Sequence, residues 1–142
     1  PLTSYAAYIL NRVGIRTRIV DEADSHMENL TAMDRAGLVL AFSFPRYSTT
    51  VVKGAKYCSS AGAVVIGLTD SQLSPLAQVC DHVLLAKSDM VSLVDSLVAP
   101  LSLVNALIVA IAAKREKELS QTFANLERIW DEYDVYEKQV ER

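Results

Sequence analysis

Leu38-Val39-Leu40-Ala41-Phe42-Ser43-Phe44-Pro45-Arg46-Tyr47-Ser48-Thr49-Thr50 joins an apolar run to the start of a helical pattern. Leu38 to Phe42 lacks the apolar–polar alternation of a half-exposed strand, so it reads as a strand buried on both faces. Val51, Val52, Ala55 and Cys58 then recur at helical spacing. The junction thus places hydroxyls, an arginine and the first N–H groups of a helix at the end of a buried strand. Those N–H groups lack intrahelical acceptors and sit at the positive end of the helix dipole, which suits them to a small anion. A phosphorylated small molecule is the ligand this pattern predicts.

The same alternation extends in both directions. Leu2, Tyr5, Ala6, Ile9, Leu10 and Val13 predict a first helix, stopped by Gly14. Ile15 to Val20 reads as a strand. Asp24 or Ser25 can cap a helix reaching Met33, with Met27, Leu30 and Met33 on one face, and Gly37 breaks it. Beyond the junction, Gly62 closes the helix and Ala63 to Leu68 is a second solid apolar strand. Ser74-Pro75 signals a short helix, Ser as N-cap and Pro at the first helical position. His82 to Leu85 supplies another brief strand.

Strand and helix alternate four times, with connections that leave right-handed crossovers as the expected topology. The expected fold class is α/β, a mostly parallel sheet with helices on both faces. Ligands of such sheets bind at the carboxyl ends of the strands. Ser43 to Ser48 and Thr69 to Ser74 both follow strand ends and share one rim.

The C-terminal part reads as helix. Leu93 to Ala113 is apolar on nearly every face, and Pro100 within it predicts a kink, because it frees the Ser96 carbonyl. Past Lys114, apolar residues at positions 119, 123, 126, 130, 133 and 140 form a coiled-coil-like seam. The expected division is a ligand-binding domain over residues 1–113 and a helical tail over 114–142, packed on the domain or on a second subunit.

Composition narrows the function. A chain of 142 residues, 51% of them hydrophobic, buries the core of one domain. The net charge is −3 with no basic block, so these residues are poorly suited to gripping a nucleic-acid backbone. Cys58 and Cys80 lie in apolar surroundings without CxxC spacing, which reads as free thiols in a reducing cytoplasm. No signal-peptide pattern is present, and Pro100, Ser102 and Asn105 interrupt the apolar stretch too soon for a bilayer span. The sequence opens at Pro1 with an amphipathic pattern already running, as in a piece of a longer protein.

Five residues of the junction are the ligand-binding candidates: Ser43, Arg46, Tyr47, Ser48 and Thr49. Ser43 and Ser48 can face one anion across the loop, the N–H groups of Ser48 to Thr50 can point at it, and Arg46 can add a charge-assisted bond. The bland alternative is that Ser48 only caps a helix and Pro45 only shapes a turn. Catalysis by aldose–ketose isomerisation requires a positioned base. His26, Glu22, Glu28 and His82 fall in no motif that supplies one, so no catalytic residue is assigned. Two distant histidines and unpaired cysteines make a metal site improbable, and no cofactor is expected.

The segment Phe42-Ser-Phe-Pro-Arg-Tyr-Ser48, with Thr69-Asp-Ser-Gln-Leu-Ser-Pro-Leu-Ala77 at the next strand end, resembles the sugar isomerase (SIS) domain. More narrowly, it is similar to the sensor domain of RpiR-type bacterial transcription regulators. Tyr8-Ile-Leu-Asn-Arg-Val-Gly14 is like the family's first helix, and Ser102-Leu-Val-Asn-Ala-Leu-Ile108 like its late core helix. The resemblance implies a flavodoxin-like α/β/α sandwich of five parallel strands that binds phosphosugars. The family's rim motif is Ser-x-Ser-Gly-x-Thr. Ser43 matches its first Ser and Ser48 its Thr, whereas Pro45 stands for the second Ser and Arg46 for the Gly. The resemblance also implies a first strand and a Gly-x-Gly-x-Ser-type loop ahead of Pro1, so the first strand and one wall of the site are expected to be missing from the chain.

The function expected is a phosphosugar-sensing and dimerising domain of a cytoplasmic transcription regulator of carbohydrate metabolism. Its partners are a sugar phosphate effector, a second copy or higher homo-oligomer, and DNA only through an upstream helix-turn-helix domain absent from this chain. No membrane partner is expected. The alternatives are a sugar-phosphate isomerase or related SIS enzyme, and an assembly module with a degenerate pocket.

Overall fold

The computed structural model describes residues 1–20, Leu30, 37–87 and 96–133, with the side chains of 117–119 left aside. Its elements are α1 (Leu2–Arg12), β1 (Leu38–Phe42), α2 (Thr49–Ser60), β2 (Val64–Thr69), β3 (His82–Leu85), α3 (Val98–Lys114) and α4 (Glu116–Glu132). The strands form a parallel sheet in the order β1-β2-β3, with Leu38 opposite Val64, Phe42 opposite Leu68, and Ile66 opposite His82.

Strand residues alternate between two faces, and each face has its own core. Val39, Ala41 and Val65 pack with Ala55 and Cys58 of α2, with Leu76 and with Leu30. Leu40, Phe42, Ile66, Leu68 and Leu84 pack on the other face with Leu2, Ala6 and Leu10 of α1 and Val104 and Ile108 of α3. A sheet covered on both sides explains why the strands read as continuous apolar runs. The result is the expected three-layer α/β/α sandwich.

Gly14 (φ 78°) and Gly62 (φ 93°) take the left-handed conformation just after α1 and α2, where a side chain would be strained. Gly67 answers a different need. A Cβ built on it would stand 2.7 Å from Cys80 Sγ and 3.3 Å from Leu76 Cγ, so its missing side chain lets the segment after β2 lie against the sheet.

Three sequence expectations need correction. Ile15 to Val20 pairs with no strand among the described residues: Asn11 Oδ1 accepts from Thr17 N–H (3.0 Å) and Asn11 Nδ2 donates to Thr17 O (3.2 Å), so the Thr17 backbone is bonded to a side chain instead of to a ladder. The Ser74-Pro75 segment winds as successive turns. Ser74 Oγ does accept from Ala77 N–H at 3.2 Å, but Val79 N–H reaches back three residues to Leu76 O and no helix propagates. Pro100 produces no kink because α3 starts at Val98, and an N–H in the first turn has no intrahelical acceptor to lose. The predicted helix from Asp24 to Met33 lies outside the described residues except for Leu30, which is helical and buried.

α4 lies against the end of α1. Arg115, at the break between α3 and α4, donates through Nη1 to Val13 O at 3.1 Å. Arg12 stacks over the Trp130 ring, 5.1 Å from its centroid. Among the described residues, no helix is long and apolar enough to cross a membrane.

Candidate functional site at the strand-end rim

The rim is built by parallel register. Phe42 pairs with Leu68, and Ser43 N–H continues the ladder to Leu68 O at 3.1 Å, which sets Ser43 beside Thr69 at the ends of adjacent strands. Thr69 is fully buried and Ser43 is 5% exposed. Ser43 Oγ is buried with no hydrogen-bond partner among the described residues. Buried hydroxyls in native folds are ordinarily satisfied by protein groups, ordered water or a bound molecule.

Five residues on, Ser48 is the N-cap of α2 in an extended conformation, and its Oγ accepts from Val51 N–H at 3.3 Å. Thr49 and Thr50 open the helix and are exposed, with N–H groups that have no acceptor within α2. The dipole of α2 adds partial positive charge there, uncancelled by any acidic residue in the first turn.

Pro45, Arg46 and Tyr47 span the gap. Arg46 has φ 70°, the one non-glycine residue in the left-handed region among the described residues. That conformation is unfavourable by roughly 1 kcal/mol for a residue with a Cβ. The loop therefore keeps the path a glycine would take even though arginine stands there. The turn thus has a conformation that glycine adopts without strain, with an arginine side chain in its place. Arg46 is exposed.

Tyr47 does something the sequence reading did not assign to it. Its hydroxyl donates to Asp70, 2.9 Å from Oδ1 and 3.2 Å from Oδ2, tying the loop after β1 to the loop after β2. Thr69 Oγ1 donates to the same carboxylate at 3.2 Å. The Asp70 hydrogen bond, helped by burial and by the carboxylate's charge, pushes the Tyr47 phenol above its ordinary pKa. Asp70 stood in the quoted Thr69-Asp-Ser segment but was not among the candidates. The available signal was its place immediately past a buried strand, on the same rim as Ser43.

The structure thus brings Ser43, Ser48, Thr49 and Tyr47 to one rim and adds Asp70. A cavity of about 700 Å³ opens on that rim beyond β3, lined by Leu85, Lys87, Ser96 and Ser102 among others, and not by Ser43 or Ser48. His82 begins β3 and pairs with Ile66, three register positions back from Thr69 at the rim. His26, Glu22 and Glu28 are outside the described residues. No group of three or more potential metal ligands occurs among the described residues.

Comparison with known proteins agrees with this fold. The SIS domain family model matches residues 2–110. The RpiR transcription factor of Sphaerobacter thermophilus (sugar isomerase domain) is 28% identical, with a TM-score of 0.84 over 89% of this chain and 72% of that one. Vibrio vulnificus NanR, solved in complex with ManNAc-6P, is 19% identical with a TM-score of 0.78; the match covers 93% of this chain and spans about half of NanR, 51%. A Listeria monocytogenes protein described as a candidate sugar-phosphate isomerase is 15% identical with a TM-score of 0.65, over 84% of this chain and 70% of that one. No curated protein matches. With the family model covering most of the chain, and with its parallel α/β/α sandwich and strand-end rim in place, the chain belongs to the SIS domain family.

Proposed function

We propose that this chain is the phosphosugar-sensing and dimerising domain of a cytoplasmic DNA-binding regulator of carbohydrate metabolism. The observation that carries the reading is the buried Ser43 Oγ, which has no partner among the described residues, at the end of β1 and five residues before the N-cap of α2. A phosphoryl oxygen would satisfy that hydroxyl and the N–H groups of Thr49 and Thr50 together, with Ser48 and Arg46 at its edge. The likeness to the RpiR transcription factor favours sensing over catalysis. His82 pairs with Ile66, three residues back along the sheet from the rim, so it does not stand among the rim residues where a base would be needed.

A sensor also needs a way to pass its state on. The exposed side of α3 carries Val98, Leu101, Ala106, Val109, Ala110 and Ala113, and no charged residue occurs from Val98 to Ala113. In a two-fold contact such a stripe meets itself, and the lack of charge removes self-repulsion. We assign it to a homodimer contact, with the segment from residue 114 onward as a helical tail bracing it. Effector binding would then bias one arrangement of subunits, and through it an upstream helix-turn-helix, provided that the ligand prefers that arrangement.

The test is calorimetric titration and thermal unfolding with a panel of sugar phosphates. Binding without aldose–ketose turnover, lost in Ser43→Ala, is the expected result. Turnover would favour the isomerase alternative, and the absence of binding by every phosphorylated compound would leave only an assembly role.

A further inference from the structure

Asp70 is the least expected group on this rim, because a carboxylate beside an anion cradle repels the anion. It is half-buried, immediately follows β2, and hydrogen-bonds to the Tyr47 and Thr69 hydroxyls. No cationic partner pairs with it among the described residues. Ser43 and Asp70 immediately follow the ends of adjacent parallel strands, one register step apart, so both belong to the same rim. Tyr47 fixes it there from the loop of the cradle itself.

Two consequences follow from charge and hydrogen-bond capacity. An ionised carboxylate offers about four acceptor sites, of which the two hydroxyls leave some unused. Hydroxyl or amino groups on the carbon chain of a bound phosphate ester are the complementary donors. A second anionic group near the phosphate meets a like charge in a partly desolvated site. A ligand with its phosphate at the start of α2 would then carry its uncharged polyol toward the end of β2, where Asp70 stands.

We infer that Asp70, held by Tyr47, is the specificity-determining residue of the rim. It selects phosphate monoesters of neutral or amino polyols over inorganic phosphate and over esters that carry a carboxylate near the phosphate. This rests on the phosphate site proposed above.

The experiment is calorimetric titration at neutral pH of the unmodified chain and of Asp70→Asn, Tyr47→Phe and Ser43→Ala. The probes are inorganic phosphate, glycerol phosphate, phosphoglycerate, and glucose, glucosamine and fructose each phosphorylated at the terminal carbon. The unmodified chain is expected to bind at least one neutral or amino ester about tenfold more tightly than inorganic phosphate, the ratio of one charge-assisted hydrogen bond. Asp70→Asn should collapse that preference and strengthen binding of phosphoglycerate and inorganic phosphate. Tyr47→Phe should reduce the preference part-way, because the carboxylate remains but is no longer pinned. If Ser43→Ala weakens every probe while Asp70→Asn leaves the ratios unchanged, the role of Asp70 is overturned and the phosphate site stands. If Ser43→Ala changes nothing, or if no probe binds, the phosphate site fails and this inference with it. Inorganic phosphate binding as tightly as every ester overturns the inference alone.

Discussion

Ser43 sets a conflict between stability and the proposed ligand binding. A buried hydroxyl without a partner destabilises the free protein, so Ser43→Ala should raise its stability by about 1 kcal/mol. The same change should remove stabilisation by a phosphorylated ligand. Thermal unfolding with and without ligand reads both effects, and an alanine variant less stable than the parent would show that Ser43 has a structural partner. Arg46 behaves alike for a backbone reason. Arg46→Gly should relieve the left-handed strain and stabilise the free domain by about 1 kcal/mol. If the guanidinium touches the phosphate, affinity should fall at the same time. Stabilisation with unchanged affinity would confine Arg46 to shaping the turn.

At the scale of elements, the segment from Thr69 to Asp81 decides how the sheet meets its neighbours. Asp81 Oδ2 accepts from Val65 N–H at 2.7 Å and Asp81 N–H donates to Val65 O at 2.9 Å, closing that segment back on β2. Gly67→Ala should force Cys80 and Leu76 outward and destabilise the domain by roughly 1–3 kcal/mol, measurable by denaturant titration. Burial, helped by the charge of Asp81, raises the Cys80 thiol from 9.0 to about 11. A raised folded-state value means that folding favours the protonated thiol. The stabilisation is complete below the unfolded value near 9 and is lost as pH rises toward 11. Cys80→Ser should flatten that part of the stability profile, and in the parent chain the thiol should react slowly with alkylating reagents at neutral pH.

For the molecule as a whole, the question is what covers α3. Val109 is 67% exposed and Val98 73%, on a helix without charge over its apolar length. Val109→Glu should leave the monomer's stability within about 0.5 kcal/mol, because the side chain is already in water. In a homodimer built on this stripe it should shift the mass seen by light scattering or sedimentation toward the monomer. An unchanged mass would move the contact elsewhere, α4 with its exposed Phe123 and Ile129 being the next surface to test.

The buried parallel strands, the helix-start signals at Ser48 and the stop at Gly14 were legible in the sequence because they depend on near neighbours in the chain. Period, caps and glycine placement record short-range sterics and hydrogen bonding, and they sufficed for an α/β sandwich with Ser43 and Ser48 on one rim. Short-range signals misled where a distant or optional partner decided. Ile15 to Val20 has the composition of a strand, yet its Thr17 backbone bonds to the Asn11 side chain. Pro100 could be judged a kink only while the start of α3 was unknown. The Tyr47–Asp70 contact joins residues 23 apart through the register of β1 on β2, which no local pattern encodes. The unpartnered Ser43 hydroxyl is likewise a fact of packing. The sequence determined the buried strands, the caps and the junction from Ser43 to Ser48, and tertiary register decided that Tyr47 meets Asp70, because that contact depends on how β1 lies on β2.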